Sequence, residues 1–415
     1  MLVVRARWVL PIAERPILNG WVALERGRVA AIGRSGSALP FRDDAPLIDL
    51  GPMAVLPALV NAHTHLELSW MGGLIPPAER FTDWMRAMLQ RRRGQAPPDD
   101  EVDRAAAHAL SGMRASGTGI LGDVSNTLRT VSLLRASPLD GVVFHELLRL
   151  KGADADSVLE QGLLALDRAG TSARFPVSLA PHAPYSVSPQ LFQGIRSALD
   201  RLPFLPSTVH LAESQEEIEL LESGRGPWRT LLEELGAWDP AWQAPGCGPV
   251  EYLERMRMLS PRMLVVHATQ CSDESLTRLA RAGVTLVTCP RSNRHVGVGD
   301  PPVARFYASG VRVAVGTDSL ASNADLNLFS ELAEMRRLAP AVPAASLLAS
   351  ATREGARALG FESEAGTIEP GRRSGLIAVD LPGDGVDVEE YLVGGVPSGR
   401  VHWVTDLLGS RAHHA

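Results

Sequence analysis

Three stretches with different hydrophobic grammar follow one another along the chain. The first fifty residues alternate apolar and polar positions in short runs, "RWVLPI", "WVALERGRVAAIG" and "PLIDLGPMAVLP", with Gly27 and Gly33 where hairpin turns would fall. The last fifty read the same way, in "AGTIEPGRRSGLIAVDLP" and "VHWVTDLLG". Between them, short β-branched runs alternate with longer stretches of helical period, the pattern of repeated βα units. Eight strands are expected there: "AVLPALV" before His63, then 117–124, 141–148, 175–182, 207–213, 263–269, 284–292 and 311–319. The helical stretches include "DESLTRLARAG", ending on Gly283, and "ASLLASATREGARALG", ending on Gly360. Eight such units in series predict an α/β fold, a (β/α)8 TIM barrel over residues 56–363. Residues 1–55 and 364–415 are expected to pair into one small composite β-sandwich. No repeat of fixed period is visible, which argues against a solenoid.

Composition changes this picture little. The 415 residues are 45% hydrophobic and 21% charged, a globular balance with enough chain for a large core. The net charge of −6 comes from mixed signs without a basic block, so neither nucleic acid nor a membrane surface is an expected partner. No segment holds the roughly eighteen uninterrupted apolar residues of a membrane span. Cys247, Cys271 and Cys289 are widely spaced and form no CxxC pair, which fits a reducing compartment. The N-terminal stretch lacks a secretory apolar segment and cleavage site, so a cytoplasmic location is expected.

The chemistry gathers where a barrel keeps its active site, at the C-terminal ends of the strands. Those ends carry His63 and His65, Asp123, His145 and Glu146, His182, His210 and Glu213, His267, Cys289 with Arg291 and Asn293, and Asp318. Of the eleven histidines, six fall at or just beyond strand ends, a rim that core-filling histidines would not choose. His63 and His65 stand two residues apart, and alternate residues of a strand project to one side. With His210 and Asp318 they make three imidazoles and a carboxylate, a donor set for Zn²⁺, or less selectively Fe²⁺ or Mn²⁺, with one position left for water. His108, His295, His402, His413 and His414 are read as structural, pocket-rim or tail residues.

The motifs "NAHTHLELS", "HLAES", "VVHATQ", "CPRSN" and "GTDSLASN" resemble those of the metal-dependent amidohydrolase superfamily, in its nucleoside and nucleobase deaminase branch with the chlorohydrolase-like members. The resemblance covers nearly the whole chain, and the β-rich termini match the family's composite sandwich. It implies that His63, His65, His210 and Asp318 hold the metal, that Glu213 shuttles protons and that His267 polarises the water or leaving group. Many members bridge two metals with a lysine at the end of strand four, but that strand here ends "LAPHAPYS", and Lys151, the only lysine, follows strand three. One divalent ion is therefore expected. It would acidify a bound water to hydroxide at neutral pH, Asp318 would take the water's proton, and a buried Glu213 would protonate the ring nitrogen and later the departing ammonia.

For the substrate, "HTHLELS", "HAPYSVS", "GRGPW" and "CPRSNRH" resemble the aminodeoxyfutalosine deaminases of an alternative menaquinone route, which act on a 6-aminopurine nucleoside bearing a benzoate. His182 is the candidate for contacting the base, Glu67 for a ribose hydroxyl or for holding His65, and Arg149 or Arg291 for the carboxylate. The alternatives are deamination of S-adenosylhomocysteine, methylthioadenosine or another nucleobase, opening of a cyclic amide, and displacement of ring chloride, since fold does not dictate substrate. A barrel that has lost catalysis and serves as a scaffold would be expected to miss ligands, and none is missing. The long segment 224–262, with Trp228, Trp238 and Trp242, serves equally well as a lid over an aromatic substrate or as a homodimer contact.

Overall fold

The computed structural model describes residues 1–36, 46–94, 96–202, 205–383 and 385–412, so His413 and His414 lie outside the described residues. Fifteen strands occur among them. Five come first: β1 (Leu2–Val9), β2 (Ile17–Glu25), β3 (Arg28–Arg34), β4 (Leu47–Asp49) and β5 (Met53–Pro57). The central eight are β6 (Leu59–Thr64), β7 (Thr118–Ser125), β8 (Asp140–Leu147), β9 (Val177–Pro181), β10 (Ser207–Leu211), β11 (Met263–His267), β12 (Thr285–Thr288) and β13 (Arg312–Val315). Two close the chain, β14 (Leu376–Asp380) and β15 (Val401–Trp403).

The terminal strands form one seven-stranded sheet in the order β15-β14-β5-β1-β2-β3, with β4 paired to β1. It branches at β1, whose first half pairs with β4 and whose last residues pair with β5. Both ends of the chain thus meet in one β unit, and Val4, Val22, Val55, Leu376 and Ala378 share its core. Two details differ from the pattern reading. The stretch "AVLPALV" is divided at Ala58: Met53–Pro57 pairs with β14 in the terminal sheet, and the barrel strand starts only at Leu59. Gly27 does turn the β2–β3 hairpin, but Gly33 lies inside β3 opposite Trp21, whose indole occupies the space of a Cβ.

The central strands make two parallel four-stranded sheets, β6-β7-β8-β9 and β10-β11-β12-β13, in chain order, as a (β/α)8 barrel requires. Val60, Ala62, Val142, Phe144, Ala180, Leu264, Val266, Val287 and Ala314 form one buried interior cluster. The opposite faces, among them Leu179, Val209, Leu211, Val265, Leu286 and Val313, pack against the surrounding helices. Helix ends carry the expected chemistry: Ser272 accepts from the Ser275 N–H at the start of Asp273–Ala282, and left-handed Gly283 ends it. The "ASLLASATREGARALG" stretch is two helices, Ala344–Ser350 and Arg353–Ala358, and not one. The break falls at Ala351, whose carbonyl accepts from the Val60 N–H of β6, while the Thr352 hydroxyl bonds back to the Leu348 carbonyl.

The seams between the two sheets lie at the site. Across one, the His210 N–H donates to the His182 carbonyl at 2.9 Å. Across the other, the N–H groups of Thr317 and Asp318 donate to the His63 carbonyl at 3.1 Å, and the Asn61 amide donates to the Thr317 hydroxyl at 2.7 Å. No helix among the described residues is long and apolar enough to cross a membrane.

Candidate functional site

His63, His65, His210, His267, Glu213 and Asp318 meet at the mouth of the barrel. Strict alternation from interior Val60 and Ala62 would turn His63 away, but the register of β6 slips between Asn61 and Thr64, just where the two histidines begin. His267, Asp318 and Ala212 have positive φ values of 74°, 59° and 48°. Left-handed backbone at non-glycine residues costs about 1–3 kcal/mol and gathers at functional sites. Here it turns the chain out of three strands toward a common centre.

The rings of His63 and His65 lie 4.8 Å apart, His63 and His210 5.0 Å, and His210 and His267 5.4 Å. Asp318 Oδ1 is 3.7 Å from His65 Nε2 and 4.0 Å from His63 Nε2. The donor atoms of His63, His65 and Asp318, and likewise those of His63, His210 and His267, all fall within 4.8 Å of one another. An ion ligated at about 2.0–2.2 Å spans such a set with small side-chain rotations. His63 supplies the test of fit. It is 1% exposed, and neither ring nitrogen has a hydrogen-bond partner among the described residues. A buried polar atom left so costs about 1–3 kcal/mol, which coordination would offset.

The outer nitrogens of His210 and His267 are held by protein. His210 Nδ1 donates to the His182 carbonyl at 3.1 Å, and His267 Nδ1 donates to Asn293 Oδ1 at 3.0 Å, so each ring keeps the lone pair of Nε2 for the centre. Asp318 Oδ2 accepts from the Ser292 hydroxyl and Oδ1 from the Ser319 N–H, both at 2.7 Å. Burial, aided by the neighbouring rings, holds His63 well below the usual imidazole range. Burial also pushes His210 and His182 down to about 3. All three are neutral near pH 7 and so able to act as donors. Burial alone would raise the Asp318 carboxyl, but His65, His267 and Ser292 draw it below the usual range. Glu213, 3.5 Å from His267 Nε2, goes the other way: burial first, then the charges of Asp318 and Glu217, lift it well above the usual carboxylate range.

His182 lines the pocket, with Nδ1 2.5 Å from the Ser186 hydroxyl and its ring against Tyr185. The other three candidates for substrate contact do not line it. Glu67 is buried, and its carboxylate accepts from the Ser125 and Thr127 hydroxyls and the Asn126 N–H, tying down the loop after β7. Arg149 is half exposed and paired to Asp154 at 2.7 Å. Arg291 bonds Asp325 at 2.8 Å and buried Glu331 at 3.6 Å, tying neighbouring loops together. Asp123 anchors the turn after His65 by accepting from the Leu66 N–H and the Thr130 hydroxyl.

Other residues take roles that the motifs do not announce. Asn293 and Glu146 stand among the strand-end residues and Ser292 inside the "CPRSN" motif, but only the fold shows what they touch. Glu146 lines the pocket 3.4 Å from His210 Nδ1 and accepts from the Asn126 amide at 2.9 Å. Arg92, Phe81, Trp84 and Met88 come from helix Phe81–Gly94, which shows no motif at all. Trp228 is buried behind the pocket wall, stacked on Tyr185 at 4.0 Å, so this part of the 224–262 segment backs the site.

Known proteins resemble this chain over most of its length. A 5-methylthioadenosine/S-adenosylhomocysteine deaminase of Nitratidesulfovibrio vulgaris is 29% identical over 381 residues, 89% of this chain and 80% of its own. An aminodeoxyfutalosine deaminase of Deinococcus radiodurans is 32% identical over 318 residues, 74% of this chain and 73% of its own. Among solved structures, an adenosine deaminase from Xanthomonas campestris with bound zinc superposes with a TM-score of 0.82 at 25% identity, over 96% of this chain and 90% of that one. The model of the amidohydrolase family matches residues 54–404, the barrel together with strands from both sides of it, and the chain belongs to that family.

Proposed function

We propose that this protein is a hydrolytic deaminase of a 6-aminopurine nucleoside, with aminodeoxyfutalosine as its substrate and one divalent ion, zinc first and iron or manganese after it, as its cofactor. The observation that carries the reading is the pairing of two unlike groups across one centre. On one side stand the histidines around the orphaned His63 nitrogens; on the other stands Glu213, whose carboxyl burial lifts well above the usual carboxylate range. An ion held by His63, His65, His210 and Asp318 would supply the Lewis acidity that brings a water's pKa from about 16 toward about 7.

The chain's own residues do the rest. Glu213 donates its proton to the ring nitrogen beside the amino-bearing carbon, which makes that carbon electrophilic. Water adds there, and Asp318 accepts one of its two protons and passes it to the amino group. As the C–N bond breaks and ammonia leaves, the remaining hydroxyl proton returns to Glu213, which restores its carboxyl and leaves a ring carbonyl. His267, fixed by Asn293 with Nε2 inward, polarises the attacked position. His182, on the pocket wall beside His210, contacts the base.

The relatives support this chemistry at the level of nucleoside deamination and divide on the substrate. The longer match, to the methylthioadenosine/S-adenosylhomocysteine deaminase, favours that pair as the second reading. Ammonia release from aminodeoxyfutalosine, S-adenosylhomocysteine, methylthioadenosine, adenosine, guanine and cytosine by zinc- or iron-loaded protein tests both. Turnover of the first alone is expected. Preference for either sulfur nucleoside replaces the substrate and keeps the mechanism. No release from any, with metal bound, sinks the deaminase reading and leaves amide or ring-substituent hydrolysis.

A further inference from the structure

We infer that Arg92 is the anion receptor of the pocket mouth, selecting a nucleoside whose sugar carries an apolar or aromatic arm that ends in a carboxylate. The inference rests on the nucleoside-deaminase reading and extends it outward from the reacting ring. Helix Phe81–Gly94 turns one face to the pocket: Phe81, Trp84, Met85, Met88, Leu89 and Arg92 follow at spacings of three and four. The Phe81 and Trp84 rings lie stacked at 6.3 Å with 12° between their planes, so the arm runs along an aromatic and thioether wall. Arg92 stands at the end of that wall. Among the described residues lining the pocket it is the one arginine or lysine.

The acids of the pocket are engaged by other partners. Glu146, Glu213 and Asp318 sit with the histidines, Glu146 being 3.4 Å from His210 Nδ1 and Glu213 3.5 Å from His267 Nε2. Glu67, the carboxylate beside Arg92, is turned to the loop Ser125–Thr127. An arm bearing an ammonium group would therefore meet a cation and no free acid at the mouth, while a carboxylate would meet its complement. Arg92 is also available to bind. Its side chain is 38% exposed, and its two contacts are long, 3.4 Å to Asn126 Oδ1 and 3.8 Å to Glu67 Oε1. They hold the guanidinium in place without saturating its five N–H donors. Asn126 in turn donates to Glu146, so the receptor is tied to the wall of the inner pocket.

The test compares aminodeoxyfutalosine with its carboxamide, which keeps the shape and removes the charge, and with methylthioadenosine. Arg92→Ala is expected to lose about 10- to 100-fold in kcat/KM on the acid, chiefly through KM, and to change by less than about 3-fold on the amide and on methylthioadenosine. Arg92→Lys should recover part of the loss, and added salt should weaken only the acid. Equal effects on acid and amide, or none on either, overturn the receptor; so does a wild-type protein that prefers the amide. If R92A does not fold, Arg92→Gln carries the same comparison. If wild-type protein releases no ammonia from any of the three, the deaminase reading has failed by itself. Calorimetry with benzoate against benzamide then decides Arg92: binding of benzoate alone, abolished in R92A, upholds the receptor, and its absence overturns it.

Discussion

Replacing Gly316 with alanine tests how the two central sheets meet. A Cβ there would stand 2.7 Å from the Cβ of His63, 2.8 Å from its carbonyl oxygen and 3.0 Å from its nitrogen. Carbon atoms in contact prefer about 3.5–4.0 Å, so β6 and β13 must part by roughly 0.8 Å. At that point Thr317 and Asp318 donate to the His63 carbonyl through bonds 3.1 Å long. Stretched by the same amount, these reach about 3.9 Å, beyond bonding range. Two bonds at about 1 kcal/mol each and overpacking strain of about 1–3 kcal/mol give a loss of about 3–5 kcal/mol. That is a large share of the roughly 5–15 kcal/mol that keeps a domain folded. His63 and Asp318 ride on the parted segments, so zinc affinity should fall with stability. Urea unfolding and zinc content measured on G316A and wild type check both. Gly112→Ala is the control: it lies in helix Asp99–Ala115 with nothing within 4 Å of the added carbon, and should be neutral or gain up to about 1 kcal/mol. If G316A stays within about 0.5 kcal/mol of wild type with undiminished zinc, the seam is not built as described.

Glu213→Gln should lower kcat by about 10²- to 10⁴-fold while zinc content and the melting temperature hold; wild-type turnover by E213Q would remove Glu213 from the proton path. Asn293→Ala strands the Nδ1–H of His267 and should cost about 1–3 kcal/mol of stability. It should also lower kcat/KM by about 10- to 100-fold with zinc retained, and unchanged kinetics would show that His267 needs no orienting partner. Glu217 accepts the Glu213 N–H at 3.0 Å, and burial lifts it from 4.5 to about 8. The folded protein then keeps a proton that the unfolded chain has released, so wild-type stability should fall by up to about 1.4 kcal/mol per pH unit between those two values. Glu217→Gln has no such proton and should gain on wild type across that window; melting curves that stay parallel from about pH 5 to about pH 8 would contradict the assignment.

What the chain shows by itself is local periodicity and the chemistry of side chains. The eight central strands are legible because each run is short and bounded, and burial on both faces makes it largely apolar before its C-terminal end, as in residues 263–266 ahead of His267. The rim histidines are legible because a parallel barrel places every strand end on one side, so position along the strand already says where His210 or His182 must lie. Which way a side chain faces at that rim is a different matter. His63 turns inward through a register slip in β6, and His267 through a left-handed backbone; strict alternation predicts neither. Contacts between distant segments are equally silent in the sequence. The carbonyl of Ala351 breaks a helix because β6 takes it, Glu67 is drawn from the pocket by the loop after β7, and Arg92 lines the pocket only because one face of its helix packs along it. Periodicity records the environment of a residue relative to its neighbours in the chain, while partners hundreds of residues apart are chosen by packing. Local pattern and side-chain chemistry suffice for the barrel, its rim and the kinds of group gathered there; long-range packing settles which of those groups face one centre, which are tied into the walls, and which cation lines the pocket.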